Sequence, residues 1–358
     1  MRVELIEERT YTEQMNETVI PTLAKCCTAG WMEPAQGDGL SDVSSSGKLH
    51  YLCYDAKRFD ELNVTGAVAQ FRGAIVISHG FTEFAEKYTE LIWYFLLEGY
   101  SVCVLEHRGH GYSPRDVDDP SLVWIDDYRR YVDDLALFAQ TIGRRYAGTH
   151  PLNLFAHSMG AGIGLAVMEK HPSIFDKAVL SCPMLAPQTG MPNWVAWIVS
   201  NVMSAFGFSK HVVMGHGDFP HIFSMNGYEG ASLPRVRWYY DRREADNHYL
   251  SYSPTYGWVK EALRLSHFVF SRSAYRRLET PVLMFQAGRD VWVLNGAENR
   301  FTRVAQSEGG DMRLVRFGDA VHEIFSMPNA VLGPYLRDVF DFFEKPMLAV
   351  LGDEDVPA

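Results

Sequence analysis

Ser158 stands in Ala156-His157-Ser158-Met159-Gly160, directly after the apolar run Leu152-Asn153-Leu154-Phe155. An apolar run that meets small residues around one serine predicts a strand turning sharply into a helix, with the hydroxyl exposed on the turn. The pattern is G-x-S-x-G with alanine in the first glycine position. A serine hydroxyl is a weak nucleophile at neutral pH. It needs a base to take its proton and a third group to hold that base in one tautomer. In an open parallel sheet such groups collect at the carboxyl ends of strands, so the candidates are residues that directly follow strand-like runs. Two qualify: Asp290 after Val282-Leu283-Met284-Phe285-Gln286-Ala287, and His322 after Met312-Arg313-Leu314-Val315-Arg316-Phe317. Asp319 is the alternative acid, although it shares a loop with His322. A tetrahedral intermediate also needs two donors for its oxyanion. The backbone N–H groups of Met159, next to the serine, and of Phe81, in His79-Gly80-Phe81, are expected to supply them. His79 is expected to be a structural loop residue.

Strands must carry these residues to one edge. Leu49-His50-Tyr51-Leu52-Cys53-Tyr54 has strand composition, and Ala74-Ile75-Val76-Ile77-Ser78 suits a strand buried on both faces. Leu91, Ile92, Phe95 and Leu96 fall at helical spacing before Gly99, and Tyr100-Ser101-Val102-Cys103-Val104-Leu105 is again strand-like. A long amphipathic stripe from Tyr128 to Ile142 precedes the serine's strand. A helix over 159–170, a strand over 177–182, and a last helix carrying Leu336, Val339, Phe340 and Phe343 are also predicted. This alternation implies an α/β fold: a mostly parallel central sheet with helices on both faces. Between Pro183 and Leu278 the alternation gives way to aromatics, methionines and irregular segments. The expected organisation is therefore an N-terminal extension over 1–47, a core formed by 48–185 and 279–358, and an inserted helical cap over 186–278. The Gly/Asp/Ser cluster at 36–47 reads as a loop.

Whole-chain properties narrow the partners. The 358 residues are 47% hydrophobic and 22% charged, which suits a globular protein with a large core. A net charge of −11 argues against a nucleic-acid surface and against electrostatic docking on anionic membranes. Contact with a membrane surface is expected to be transient at most. Cys26, Cys27, Cys53, Cys103 and Cys182 lack metal-site spacing, and an odd count in largely apolar runs suits reduced thiols. With no apolar leader near Met1 and no uncharged apolar stretch of about 18 residues, a cytoplasmic location is expected.

The order Ser158, Asp290, His322 is that of the α/β-hydrolases, and the chain resembles their lysophospholipase and monoacylglycerol lipase group. His79-Gly80-Phe81-Thr82-Glu83 is similar to the group's oxyanion loop, and Glu106-His107-Arg108-Gly109-His110-Gly111-Tyr112-Ser113 to its D-H-R-G-x-G-x-S loop, with Glu106 in place of Asp. Ala156-His157-Ser158-Met159-Gly160 resembles the bacterial lysophospholipase form of the serine turn. Ser253-Pro254-Thr255-Tyr256-Gly257-Trp258-Val259 resembles a P-T-Y-x-W-V segment at the end of the cap, and His322-Glu323-Ile324 an H-E-[IL] base loop. The resemblance implies a cofactor-free serine ester hydrolase acting on single-chain lipid esters through an acyl-enzyme. Lysophospholipase action is the first expectation and monoacylglycerol lipase action the second. A small-ester esterase, thioesterase or serine aminopeptidase would use the same three residues, and a non-catalytic ligand-binding homologue would keep the fold alone.

Residues 193–208 are apolar around much of a helix, with Trp194, Trp197, Ile198, Val199, Val202 and Phe206. Packing against the main domain is the first expectation for them. The others are a wall for an acyl chain, with Trp194, Trp197 and Trp258 as candidate substrate contacts, and transient insertion at a lipid interface. His211, His216, His221 and Asp218 cluster without the spacing of a metal site, so no metal is expected. Among Arg235, Arg237, Arg242 and Arg243 the expectation is a solvated face, with a contact to a lysophospholipid phosphate as the alternative.

Overall fold

The computed structural model describes residues 4–37, 47–271 and 275–345. Most of the Gly/Asp/Ser cluster at 36–47 lies outside them. The strands are β1 (Cys27–Met32), β2 (Leu49–Tyr54), β3 (Gly73–Ser78), β4 (Tyr100–Leu105), β5 (Leu122–Val123), β6 (Leu152–His157), β7 (Lys177–Ser181), β8 (Ser253–Pro254), β9 (Val282–Ala287) and β10 (Met312–Phe317). Eight of them form one sheet in the order β1-β2-β4-β3-β6-β7-β9-β10. β2 is antiparallel to both its neighbours and all other pairs in this sheet are parallel. β5 and β8 pair separately.

Both faces of the sheet are covered. β3 sends Ala74 and Val76 into one apolar cluster and Ile75 and Ile77 into the other, which is why it reads as an unbroken apolar run. The longer helices are α1 (Thr89–Leu97), α2 (Arg129–Phe138), α3 (Ser158–Lys170), α4 (Asn193–Ala205), α5 (Leu233–Ala245), α6 (Tyr256–Val269), α7 (Asn295–Ser307) and α8 (Asn329–Glu344). α2, α3 and α6 feed the first cluster; α1 and α8 feed the second. The predicted stripe from Tyr128 to Ile142 runs through α2 and a wide turn at Ala139–Gly143.

Two expectations need correction. The described part of 1–47, residues 4–37, is not a separate extension: β1 is an edge strand of the main sheet, and Tyr11, Met15, Val19, Leu23 and Cys26 are buried in the cluster beside α1 and α8. Their spacing of three or four residues is a helical stripe that buries itself on the sheet's second face. This segment also bonds to later elements: Trp238 Nε1 donates to Asn16 Oδ1 at 3.0 Å, and Ser232 Oγ to Glu8 Oε2 at 2.7 Å.

The second correction concerns α4, expected to pack against the main domain. It packs against α6 and buries only Ala196 and Ser200. Trp194, Trp197 and Phe206 remain 69%, 49% and 76% exposed, and Ile198, Val199 and Val202 are exposed too. The small residues form the packed side of the helix, so the large apolar ones face outward. α6, by contrast, joins the core: Trp258, Leu265 and Val269 lie in the same cluster as α3.

Candidate active site

β6 ends at His157 and α3 begins at Ser158, with no residue between them. Ser158 takes up the reversal with φ +51°, a left-handed conformation that costs an L-residue roughly 1–2 kcal/mol. Gly160 makes the tight approach possible. A Cβ there would stand 2.2 Å from the carbonyl oxygen of Ser78 at the end of β3, so no larger residue fits. Ala156, in the first glycine position, is fully buried inside β6, where a methyl group packs without strain.

Neighbouring strand ends bring the other two residues to the hydroxyl. His322 Nε2 lies 2.8 Å from Ser158 Oγ, and His322 Nδ1 lies 2.6 Å from Asp290 Oδ2. Asp290 Oδ1 accepts from the amides of Trp292 at 2.8 Å and Val293 at 3.0 Å. Burial alone would raise the Asp290 carboxyl, but His322 and these two amides hold it below the ordinary carboxylate range. A carboxylate fixed at Nδ1 orients the imidazole with Nε2 toward the hydroxyl. Asp319, the alternative acid, is exposed.

Sequence reasoning overlooked Cys182. It follows β7 with φ +46°, and its sulfur lies within 4.8 Å of ligand atoms of Asp290 and His322. Among the described residues this is the group whose spacing would suit a metal ion. Burial and the charges of Asp290 and Glu298 push the thiol well up. Both ring nitrogens of His322 are already engaged, Nδ1 by Asp290 and Nε2 by Ser158, and Asp290 Oδ1 by two amides. The donor set therefore does not suit a metal.

Met159 is the second residue of α3, where the first amides have no partner within the helix. Phe81 precedes Thr82, which turns the loop with φ +63°. Its ring lies on Trp258 of α6, centroid to centroid 4.0 Å. Thr255 caps α6 by accepting from Trp258 N at 3.2 Å and is itself anchored to Val123 O at 2.8 Å, which gives the P-T-Y-x-W segment a physical purpose. Trp258 also lines a small apolar cavity with Met159, Met184, Ala262 and Leu265. Of the three tryptophans named as substrate contacts, the structure thus brings Trp258 to the Phe81–Met159 side and leaves Trp194 and Trp197 exposed.

The remaining candidates have structural partners. His79 Nε2 accepts from the amide of His107 at 2.9 Å, so its proton sits on Nδ1, which donates to Gly80 O at 2.8 Å. Glu106 is fully buried and ties Ala85 N, Tyr112 N and His50 together. The four arginines do not form a solvated face. Arg235 and Arg243 are buried, the first on Glu90 and Asn329 and the second on Tyr249 O. Arg237 pairs with Asp241 and Arg242 with Glu86. Each guanidinium already has an anion or a carbonyl, which removes the basis for phosphate binding by this set. His221 pairs with Glu244, and His211, His216 and Asp218 are exposed.

The sequence profile of the family described as "Serine aminopeptidase, S33" matches residues 69–329. The chain belongs to that family. Lysophospholipase L2 of Escherichia coli strain K12 is 30% identical to it over 287 residues, spanning 76% of this chain and 80% of that protein. A soluble variant of monoglyceride lipase from Saccharomyces cerevisiae, solved with a substrate analog, superimposes with a TM-score of 0.64 at 17% identity, over 87% of this chain and 96% of that one. A thermostable carboxyl esterase from Bacillus coagulans, solved with glycerol, gives a TM-score of 0.67 at 13% identity over 88% and 97%. These likenesses bear out the α/β-hydrolase fold and the resemblance to the lysophospholipase and monoacylglycerol lipase group. No described helix is long and apolar enough to cross a membrane.

Proposed function

We propose that this chain is a serine carboxylic-ester hydrolase acting on single-chain lipid esters, lysophospholipids foremost and monoacylglycerols second. The observation that carries the reading is the continuous contact from Asp290 through His322 to Ser158, 2.6 Å and 2.8 Å long. Ser158 Oγ attacks the ester carbonyl while His322 takes its proton, and the amides of Phe81 and Met159 receive the negative charge that develops on the carbonyl oxygen. His322 then gives the proton to the departing glycerol oxygen, leaving the acyl group on Ser158. Water, deprotonated by the same imidazole, releases the fatty acid. Asp290 orients His322 and stabilises the imidazolium. No step needs a metal or cofactor.

The lipid preference rests on likeness to lysophospholipase L2 and on the apolar surroundings of Met159 and Trp258. Residues 186–278, inserted between β7 and β9, serve as the cap that takes the acyl chain. The exposed apolar face of α4 is where aggregated substrate meets the enzyme. Five unpaired thiols suit a reducing compartment, and the cytoplasm is the proposed location.

Ser158→Ala is expected to abolish ester turnover while leaving Tm unchanged, and a fluorophosphonate probe is expected to label the wild type only. Turnover equal to wild type in that variant would refute the nucleophile. A panel of lysophospholipids, monoacylglycerols, acyl thioesters, short esters and aminoacyl amides then tests the substrate class. Preference for a thioester or an amide would replace it.

A further inference from the structure

Behind Ser158 and His322 lies a buried ion cluster that the steps above do not use. Lys87 Nζ binds Glu83 Oε1 at 2.8 Å and also bonds to Glu323 Oε1. The side chains of Lys87, Glu83 and Glu323 are 3%, 4% and 9% exposed. Two carboxylates held this deep in the interior are costly unless every oxygen finds donors. The donors come from the catalytic loops. Glu83 Oε2 accepts from the amide of Gly80, next to Phe81, at 2.6 Å, and from the hydroxyl of Tyr88. Glu83 Oε1 lies 3.1 Å from Nδ1 of His157, the residue before the nucleophile, whose Nε2 lies 3.3 Å from the carbonyl oxygen of His322.

Glu323, directly after His322, completes the circuit: its Oε2 accepts from Ser326 Oγ at 2.9 Å. Its Oε1 also accepts from the hydroxyl of Tyr228, at 2.6 Å, a residue of the insertion. The ring of Tyr239, on α5 of the same insertion, covers the Lys87 ammonium at 4.3 Å. Burial opposes every charge here, yet Glu323 and Glu83 keep Lys87 well above the ordinary lysine range. Against the same burial, Lys87 and His157 keep Glu83 well below the usual carboxylate range.

We propose that Lys87 is a positioning residue: by holding Glu83 and Glu323 together it fixes the oxyanion loop against the base loop, and Tyr228 makes that geometry depend on the seating of the cap. The proposal rests on the assignment of Ser158, His322 and the Phe81 amide made above. Lys87 touches neither substrate nor the reacting atoms; it acts through Gly80 and through the backbone of His322.

Lys87→Met would leave two buried carboxylates facing each other and fold poorly, so the test uses Tyr228→Phe and Glu323→Gln in the full chain, with Lys87→Arg as the conservative replacement. The measurements are Tm, kcat and KM on a dissolved short-chain ester, and the rate of Ser158 labelling by a fluorophosphonate. Tyr228→Phe and Glu323→Gln are expected to stay folded with KM kept and Tm lowered by a few degrees at most, and to lose about tenfold to a hundredfold in kcat and labelling rate, the range for displaced catalytic groups. Lys87→Arg is expected to retain more of both. A purely structural role would lower Tm and leave kcat of the folded fraction intact. Wild-type kcat and labelling in Tyr228→Phe would overturn the proposal, and that variant decides alone if Glu323→Gln unfolds. If wild-type Ser158 failed to label, the nucleophile assignment would fall instead.

Discussion

Ser158 sits in a backbone conformation that its own side chain disfavours, and the neighbouring packing must hold it there. Much of that packing is a missing atom. At Gly160 an added methyl would meet the carbonyl oxygens of Ser78 and His79 at 2.2 Å and 2.4 Å, and backbone cannot yield as a flexible side chain would. Gly160→Ala is therefore expected to push α3 away from β3, lowering stability by about 1–3 kcal/mol and slowing phosphonate labelling of Ser158. Chemical denaturation and labelling kinetics on the same preparation check both effects. The approach of Asp290 and His322 to Ser158 was readable because each follows a strand-like run. Cys182 was not, since a lone thiol after an apolar run gives no sign of the neighbours it will meet. The Lys87 cluster was equally hidden, its partners Lys87 and Glu323 being 236 residues apart.

At the scale of elements, α3 carries a buried acid. Glu169 is 1% exposed near the end of the helix, neither carboxylate oxygen has a hydrogen-bond partner among the described residues, and burial pushes its pKa well up. The folded state therefore keeps a proton that the unfolded chain gives up once pH passes the ordinary glutamate value, so this group's contribution to stability falls as pH rises through that window. Glu169→Gln carries no titrating proton. It is expected to raise Tm at pH 8 by about 2 °C or more relative to wild type, with a smaller difference at pH 4, in thermal melts across the range.

The elements differ in how openly the sequence declares them. Strands buried on both faces, such as β3, β4 and β6, are unbroken apolar runs and were found almost to the residue. β1 has only one partner strand and an exposed or half-buried surface along its length, so Cys-Thr-Ala-Gly-Trp-Met carries no such run. α4 was recognised as an apolar helix, but hydropathy does not say which side a neighbour covers, and there the packing expectation failed.

At the scale of the molecule, two surfaces follow from this arrangement. The outward face of α4 is apolar in a protein of net charge −11, so contact with aggregated lipid would be apolar rather than ionic. Replacing Trp194 and Phe206 together by serine is expected to leave turnover of a dissolved short ester unchanged and to reduce turnover of micellar lysophospholipid several-fold. Paired assays above and below the critical micelle concentration measure this. The other surface is internal. Because Tyr11, Met15, Val19, Leu23 and Cys26 fill one side of the core, removing residues 1–26 is expected to abolish cooperative unfolding or yield insoluble protein, read from expression and thermal melts.

That internal seam also orders events during synthesis. Glu8 accepts from the amide of Asn329, 321 residues later, and Asn329 Nδ2 reaches back to the carbonyl of Ile6 at 3.0 Å. At the usual pace of translation Ile6 and Glu8 are made tens of seconds before Asn329. In that interval the stripe from Tyr11 to Cys26 already has α1 to pack against, whereas Ile6 and Glu8 still lack Asn329. The seam between this segment and α8 thus closes only once Asn329 is made, which makes its hydrogen bonds a late event of folding.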